Sequence, residues 1–193
     1  MNEIENIKKF AEINNVPIML EDGLSFLLEY IKTNNIKTIL EVGSAIGFSA
    51  IMMASINDDI FVDTLELDKQ RYDIAVSNIE KFNLQDRIKI FNCDALTFKT
   101  DDMYDLIFID AAKAQYKKYM DYYFDNCKDN GVFVFDNMEF HGMVDNPEMT
   151  KNRNTKNLVK KIKIFRDEMI NSEDYIVEYH KNIGDGVMLV KKK

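Results

Sequence analysis

Cysteine is scarce in this chain: Cys93 and Cys127 are its only two. Two cysteines build no disulfide framework, and they fit a reducing compartment better than an oxidising one. Both read as small buried hydrophobes, Cys93 at the end of an apolar strand pattern and Cys127 within a helical one. Glycine and proline are scarce as well, at seven and two. A chain this poor in both has little room for long disordered linkers. Histidine occurs twice, as His141 and His180, and neither joins a ligand or triad pattern with a Cys or Ser motif. Long apolar runs are missing too. The run Gly131 to Phe135 is strand-sized, far too short to span a bilayer. Met1 to Phe10 is charged and lacks the apolar core of a secretory signal. No low-complexity tract and no internal repeat occurs. These absences imply a cytoplasmic protein with no membrane span, folded as a single domain over its 193 residues.

Positive charge is also in deficit. The net charge of −8 argues against DNA and, more broadly, against phosphate-rich partners. One segment departs from this. From Lys151 to Arg166 there are seven basic residues (Lys151, Arg153, Lys156, Lys160, Lys161, Lys163, Arg166) and no acidic one. A basic run inside an acidic chain can still be a local electrostatic footprint.

What is present is an ordinary globular balance, 46% hydrophobic and 30% charged. Residues 1–35 read as a helical segment. Ile4, Ile7, Phe10 and Ile13 recur at helical spacing, Val16-Pro17 breaks the pattern, and Asp22 is placed to cap a second helix carrying Leu24, Leu27, Leu28 and Ile31. Residues 36–193 read as an α/β core. Strands are predicted at 38–42, 60–65, 87–91, 104–109 and 131–135, with helices between them, including an amphipathic one at 69–82. A helix at 154–170 follows, then strands at 175–179 and 187–191 joined by Gly184-Asp185-Gly186. Strands alternating with helices imply a mostly parallel sheet covered on both faces, its last pair antiparallel. In such sheets ligands bind beyond the carboxyl ends of the strands.

The chemistry-bearing residues fall there. After the first strand, Gly43 and Gly47 permit a tight turn and close approach of a ligand to the backbone. The following helix offers free N–H groups. Glu66 ends the second strand, 23 residues beyond Gly43. A carboxylate at about that offset, roughly 20 residues, accepts both ribose hydroxyls of a nucleoside. The plainer alternative is a strand-to-helix turn with a solvated Glu. After the third strand, Asp94 either accepts from an exocyclic amine such as that of adenine or is a helix N-cap. Asp110, Asp136 and Asn137 end neighbouring apolar strands. Two carboxylates and an amide oxygen without Cys or His suit a hard cation such as Mg²⁺; the alternative is a turn cap at Asp136 and an Asp110–Lys113 pair. Lys113, one helical turn beyond Asp110, is either a general base with its pKa lowered beside a cation or a surface lysine.

Taken in order, Glu41-x-Gly43-x-x-x-Gly47-x-Ser49, Glu66, Asp110-x-x-Lys113-x-x-Tyr116 and Asp136-Asn137 resemble the metal-dependent O-methyltransferase family, which includes catechol and caffeoyl-coenzyme A O-methyltransferases. Within that family Val16-Pro17-Ile18-Met19, Gly43-Ser-Ala-Ile-Gly47-Phe-Ser49, Asp94-Ala95, Phe108 to Lys113 and Gly184-Asp185-Gly186 are similar to bacterial tRNA 5-hydroxyuridine methyltransferases. The resemblance implies a Rossmann-like class I methyltransferase fold, with a seven-stranded sheet whose last strand is antiparallel. It implies S-adenosylmethionine contacts from Met19, Glu41, Gly43, Ser49, Glu66, Asp94, Ala95 and Asp110. It implies Mg²⁺ or another divalent cation on Asp110, Asp136 and Asn137, and a homodimer; in the leading reading of the residues Lys113 takes the substrate proton, the alternative being that it only orients the substrate. The expected substrate is a 5-hydroxyuridine of a tRNA anticodon loop. A small catechol or phenol is the alternative, and a non-catalytic S-adenosylmethionine- or RNA-binding module a third reading.

Overall fold

The computed structural model describes residues 3–193. The chain opens with two helices, α1 (Glu3–Ile13) and α2 (Glu21–Thr33). An alternating series follows: β1 (Thr38–Val42), α3 (Phe48–Ala54), β2 (Phe61–Glu66), α4 (Lys69–Lys81), β3 (Ile88–Asn92), β4 (Tyr104–Ile109), α5 (Tyr116–Tyr122) and β5 (Cys127–Phe135). It closes with α6 (Arg153–Ile170), β6 (Tyr175–His180) and β7 (Val187–Lys192). The strands form one sheet in the order β3-β2-β1-β4-β5-β7-β6. β7 runs antiparallel to β5 and β6, and the β1–β2, β1–β4, β2–β3 and β4–β5 pairs are parallel. The order reverses between β1 and β4, which opens a crevice beyond their carboxyl ends.

The central strands carry mostly apolar residues toward their carboxyl ends because both faces are covered. Successive side chains point to opposite faces, and the core divides accordingly. Leu106, Phe108, Val132 and Val134 pack with α1, α2 and α3 on one face. Ile107, Ile109, Phe133 and Phe135 pack with α5 and α6 on the other. Among the described residues no helix is long and apolar enough to cross a membrane.

Three expectations require correction. Cys127 starts β5 and lies in no helix. The polar stretch Lys128-Asp129-Asn130 hides the strand, and the β4–β5 register shifts there; a side chain at Gly131 would meet Cys127 Sγ at 2.7 Å. Phe10 and Ile13 are exposed, because α1 turns Ile7 and Ala11, with Ile4 beside them, into the core. Asp22 does not cap α2, whose N-cap position is Leu20. Its carboxylate lies in the first turn and accepts the main-chain N–H groups of Gly23 (3.0 Å) and Gly184 (2.9 Å). It thereby ties α2 to the β6–β7 turn, and the Gly184 hydrogen bond holds the Asp22 carboxyl below its usual range.

Candidate active site

The crevice is a cleft of about 540 Å³ bounded by the ends of β1, β2, β4 and β5, by residues 17–20, and by Phe140, His141 and Asp185. That volume suits a nucleoside-sized cofactor or a small substrate.

One end is built on the turn after β1. Gly43 has φ +102°, and a Cβ there would stand 2.6 Å from the Asp110 carbonyl oxygen. Only glycine lets β1 and β4 close to this distance. Ala45 also takes a left-handed conformation, φ 46°. Its N–H donates to Glu66 Oε2 at 2.8 Å, while Asp68 N–H donates to Glu66 Oε1 at 2.8 Å. Glu66 is thus held from two sides, 6% exposed, on the cleft wall. A carboxylate fixed by backbone donors keeps lone pairs for a ligand's hydroxyls.

Met19, Gly43, Glu66, Asp94, Ala95 and Asp110 all line the cleft. Glu41 and Ser49 are not brought to its wall. Glu41 has no exposed surface, and its two oxygens accept the hydroxyls of Ser49 and Thr64 beneath the turn. Burial raises its carboxyl to about 7 against the hydroxyl bonds that lower it. Asp94 is exposed and accepts the Leu96 N–H at 2.9 Å, so it holds a turn while its second oxygen stays open to the cleft.

The other end gathers Asp110, Lys113, Asp136 and Asn137. Lys113 Nζ lies 3.4 Å from Asp110 Oδ1, both side chains about 22% exposed. Burial raises the Asp110 carboxyl and Lys113 opposes the rise. Asp136 is 2% exposed. Burial, then the charge of Asp110, raises it to about 7. Among the described residues nothing donates to its buried Oδ1. The Asp136 carbonyl, by contrast, accepts the Tyr116 hydroxyl at 2.7 Å. A fully buried carboxylate oxygen without a partner is costly, and a divalent cation would satisfy it. Among the described residues no three His, Cys, Asp or Glu side chains are grouped as a metal site. Asp110 and Asp136 therefore need a neutral oxygen, for which Asn137 is the neighbour. The donor set, all oxygen, fits Mg²⁺ chemistry.

Sequence reasoning passed over Asp185 and the residues it holds. Its signal was the turn Gly184-Asp185-Gly186, read only as a strand connection. It also placed the whole segment Lys151 to Arg166 on a basic surface, and that requires correction. Arg166 is 6% exposed and faces inward, pairing with Glu139 (2.8 Å) and Asp145 (2.6 Å). Lys163 reaches Asp145 at 3.7 Å. Lys151, Arg153, Lys156, Lys160 and Lys161 remain exposed. The helix itself starts there because the Asn152 side chain accepts the N–H groups of Asn154 and Thr155.

Comparison with known proteins identifies the family. A caffeoyl-CoA O-methyltransferase of Populus kitakamiensis is 24% identical over 96% of this chain and 82% of its own length. One from Stellaria longipes is 29% identical over 88% and 72%. A Staphylococcus aureus crystal structure, assigned provisionally as a caffeoyl-CoA O-methyltransferase, superposes with a TM-score of 0.93 at 36% identity, covering 100% of this chain and 93% of that one. A Bacillus cereus O-methyltransferase in complex with SAH superposes with a TM-score of 0.82 at 25% identity, covering 98% and 90%. The family model described as O-methyltransferase matches residues 1–193. The chain belongs to the O-methyltransferase family and is an S-adenosylmethionine-dependent enzyme of it.

Proposed function

We propose that this enzyme methylates a hydroxyl group of a small aromatic substrate with the help of a divalent cation. The observation that carries this reading is the polarity of the cleft. A backbone-held carboxylate, Glu66, stands at one end, and two carboxylates with an amide, Asp110, Asp136 and Asn137, stand at the other. The caffeoyl-CoA O-methyltransferases it resembles are named for a phenolic thioester, which supports an aromatic substrate.

In this reading Glu66 accepts the ribose hydroxyls and the open oxygen of Asp94 takes the exocyclic amine of adenine. The main chain at Gly43 admits the methionine part, with Met19 and Ala95 closing the walls. Glu41 and Ser49 act from beneath, by fixing the turn. Asp110, Asp136 and Asn137 hold the cation, which when bound supplies positive charge that lowers the pKa of a nearby hydroxyl. Lys113, half-buried beside Asp110, is placed to take the hydroxyl proton on Nζ when it is present as the neutral amine. The remaining work of the chain is positioning and exclusion of water.

A second reading keeps the chemistry and takes a tRNA anticodon loop as substrate. Its support is the exposed basic group Lys151, Arg153, Lys156, Lys160 and Lys161 at the start of α6, reduced from seven by the inward-facing Arg166 and the paired Lys163. One experiment separates the two. The protein is incubated with labelled S-adenosylmethionine, with Mg²⁺ or with EDTA, on a panel of catechols and phenols beside bulk tRNA lacking wobble-uridine methylation. Mg²⁺-dependent label in the aromatic compounds is expected. Label confined to tRNA and digesting to 5-methoxyuridine would replace the substrate with the second reading. Label in EDTA equal to that in Mg²⁺ would remove the cation.

A further inference from the structure

The loop after β5 is strained where it borders the cleft. Asn137 (φ 59°), Phe140 (φ 45°) and His141 (φ 58°) are all left-handed, within six residues that end in Gly142 (φ 77°). The left-handed region is unfavourable for a side chain with a Cβ, most of all for Phe140, and persists only where its surroundings over-determine it. The surroundings here are the turn between β6 and β7. The Met138 N–H donates to the Gly186 carbonyl at 2.9 Å, and the Glu139 N–H to the Asp185 carbonyl at 2.8 Å. The turn packs closely on both neighbours: a Cβ at Gly186 would stand 2.9 Å from Glu139 N and one at Gly184 would stand 3.1 Å from Gly23 Cα.

At the centre of this contact is the side chain of Asp185, only 7% exposed. Its Oδ1 accepts the His141 main-chain N–H at 2.6 Å, and its Oδ2 accepts the Asn137 side-chain N–H at 3.4 Å. One carboxylate therefore serves two donors, one on each oxygen, from two of the strained residues. With its nitrogen engaged by Asp185, the Asn137 carboxamide has its oxygen left for the cleft.

We propose that Asp185 is a positioning residue: it orients the Asn137 carboxamide and locks the Phe140–His141 wall, so that the hydroxyl-bearing end of the substrate meets a preformed site. The role of Asn137 in holding a cation rests on the function proposed above; the locking of the loop does not. Asp185 touches no reacting atom in this scheme. It acts through Asn137 and through the backbone of His141.

The test uses D185N and the swap N137D/D185N in the full chain. An amide offers one acceptor oxygen where the carboxylate offers two, so in D185N both His141 and Asn137 stay satisfied only if Asn137 turns its carboxamide over and withdraws its oxygen from the cleft. Hydrogen exchange over residues 137–142 is expected to quicken about tenfold. At saturating cofactor kcat is expected to fall roughly tenfold to a hundredfold, while the Kd for S-adenosylmethionine, held at the other end, stays within about twofold. In the swap the donor and acceptor are exchanged: the amide introduced at position 185 donates to the carboxylate introduced at position 137, and its oxygen accepts from the His141 N–H. Exchange protection should return to near the native level, whether or not turnover does. Native exchange rates and native kcat in D185N would overturn the proposal. So would a swap no better protected than D185N. Should D185N fail to fold, the swap decides alone: native protection supports the pairing, and failure to fold or loss of protection rejects it. If the wild-type protein methylates no aromatic hydroxyl, the functional reading fails while the exchange measurement still judges the lock.

Discussion

The Glu66 carboxylate accepts the main-chain N–H of Ala45 at 2.8 Å, which couples the end of β2 to the turn after β1. The ligand-facing carboxylate and the glycine turn are one unit. In E66Q one oxygen becomes a donor and faces either the Ala45 or the Asp68 N–H. We expect S-adenosylmethionine affinity to fall roughly tenfold to a hundredfold, the cost of unpaired buried donors. Isothermal titration calorimetry checks this; native affinity in E66Q would remove Glu66 from the cofactor site.

Gly43 is the point of closest approach between β1 and β4. G43A places a methyl group 2.6 Å from the Asp110 carbonyl oxygen, on a backbone with φ +102°. Neither neighbour is a flexible side chain, so a strand end must shift. We expect cofactor binding to be lost and the melting temperature to fall. Undiminished binding in G43A would mean that the strand ends separate freely.

Glu41 sets a pH dependence of stability. Its carboxyl is raised from 4.5 to about 7 by burial, so the folded state binds this proton more tightly than the unfolded chain does. Below pH 4.5 both states are protonated and the effect is absent. As pH rises from there to about 7 the unfolded chain ionises first and stability is lost. The loss is on the order of 3 kcal/mol. E41Q keeps the acceptor and removes the titration, so its urea-unfolding free energy should decline less over this window than that of the wild type. Parallel curves for the two proteins would contradict the assignment.

Arg166 supports the loop that carries the cleft wall. It donates to Glu139 at 2.8 Å and to Asp145 at 2.6 Å, with only 6% of the residue exposed. R166M removes the closer of the two cations on the buried Glu139 carboxylate, leaving only Lys181 at 3.6 Å. We expect a loss of about 3–5 kcal/mol, a fall in Tm on the order of 10 °C. A thermal melt of R166M at the wild-type temperature would show that Arg166 belongs to the surface after all.

The exposed basic group on α6 separates the two substrate readings by mutation as well. K156E/K160E/K161E reverses charge on residues that pack against nothing in the cleft. Turnover of a small phenol should be unchanged, because the cleft residues are untouched. Turnover on tRNA, if any, should weaken and lose part of its salt dependence. Equal loss on both substrates would place these lysines on the cleft.

Much of this was legible along the chain. β1 and β4 were readable because each is an apolar run bounded by polar turn residues, the pattern of a strand buried on both faces. Glu66, Asp110 and Asp136 were readable because each polar residue ends such a run, and strand ends are where a parallel sheet binds ligands. The start of β5 was not legible. Lys128-Asp129-Asn130 carries the composition of a loop and lies at the register shift between the Tyr104–Cys127 and Leu106–Val132 pairs with β4.

The sequence by itself determined the order of the elements and which residues stand at the carboxyl ends of the strands, because periodicity and turn chemistry act over a few residues. Only the tertiary structure decided which side chains work together. Asp22 meets Gly184 across 162 residues, Asp185 meets Asn137 across 48, and Arg166 turns inward to a residue 27 positions away. Glu41, at the head of a motif, supports the turn from beneath. A charged residue reads the same in sequence whether it faces water or a buried partner. Packing distinguishes the two, since a buried charge must find a partner wherever in the chain that partner lies.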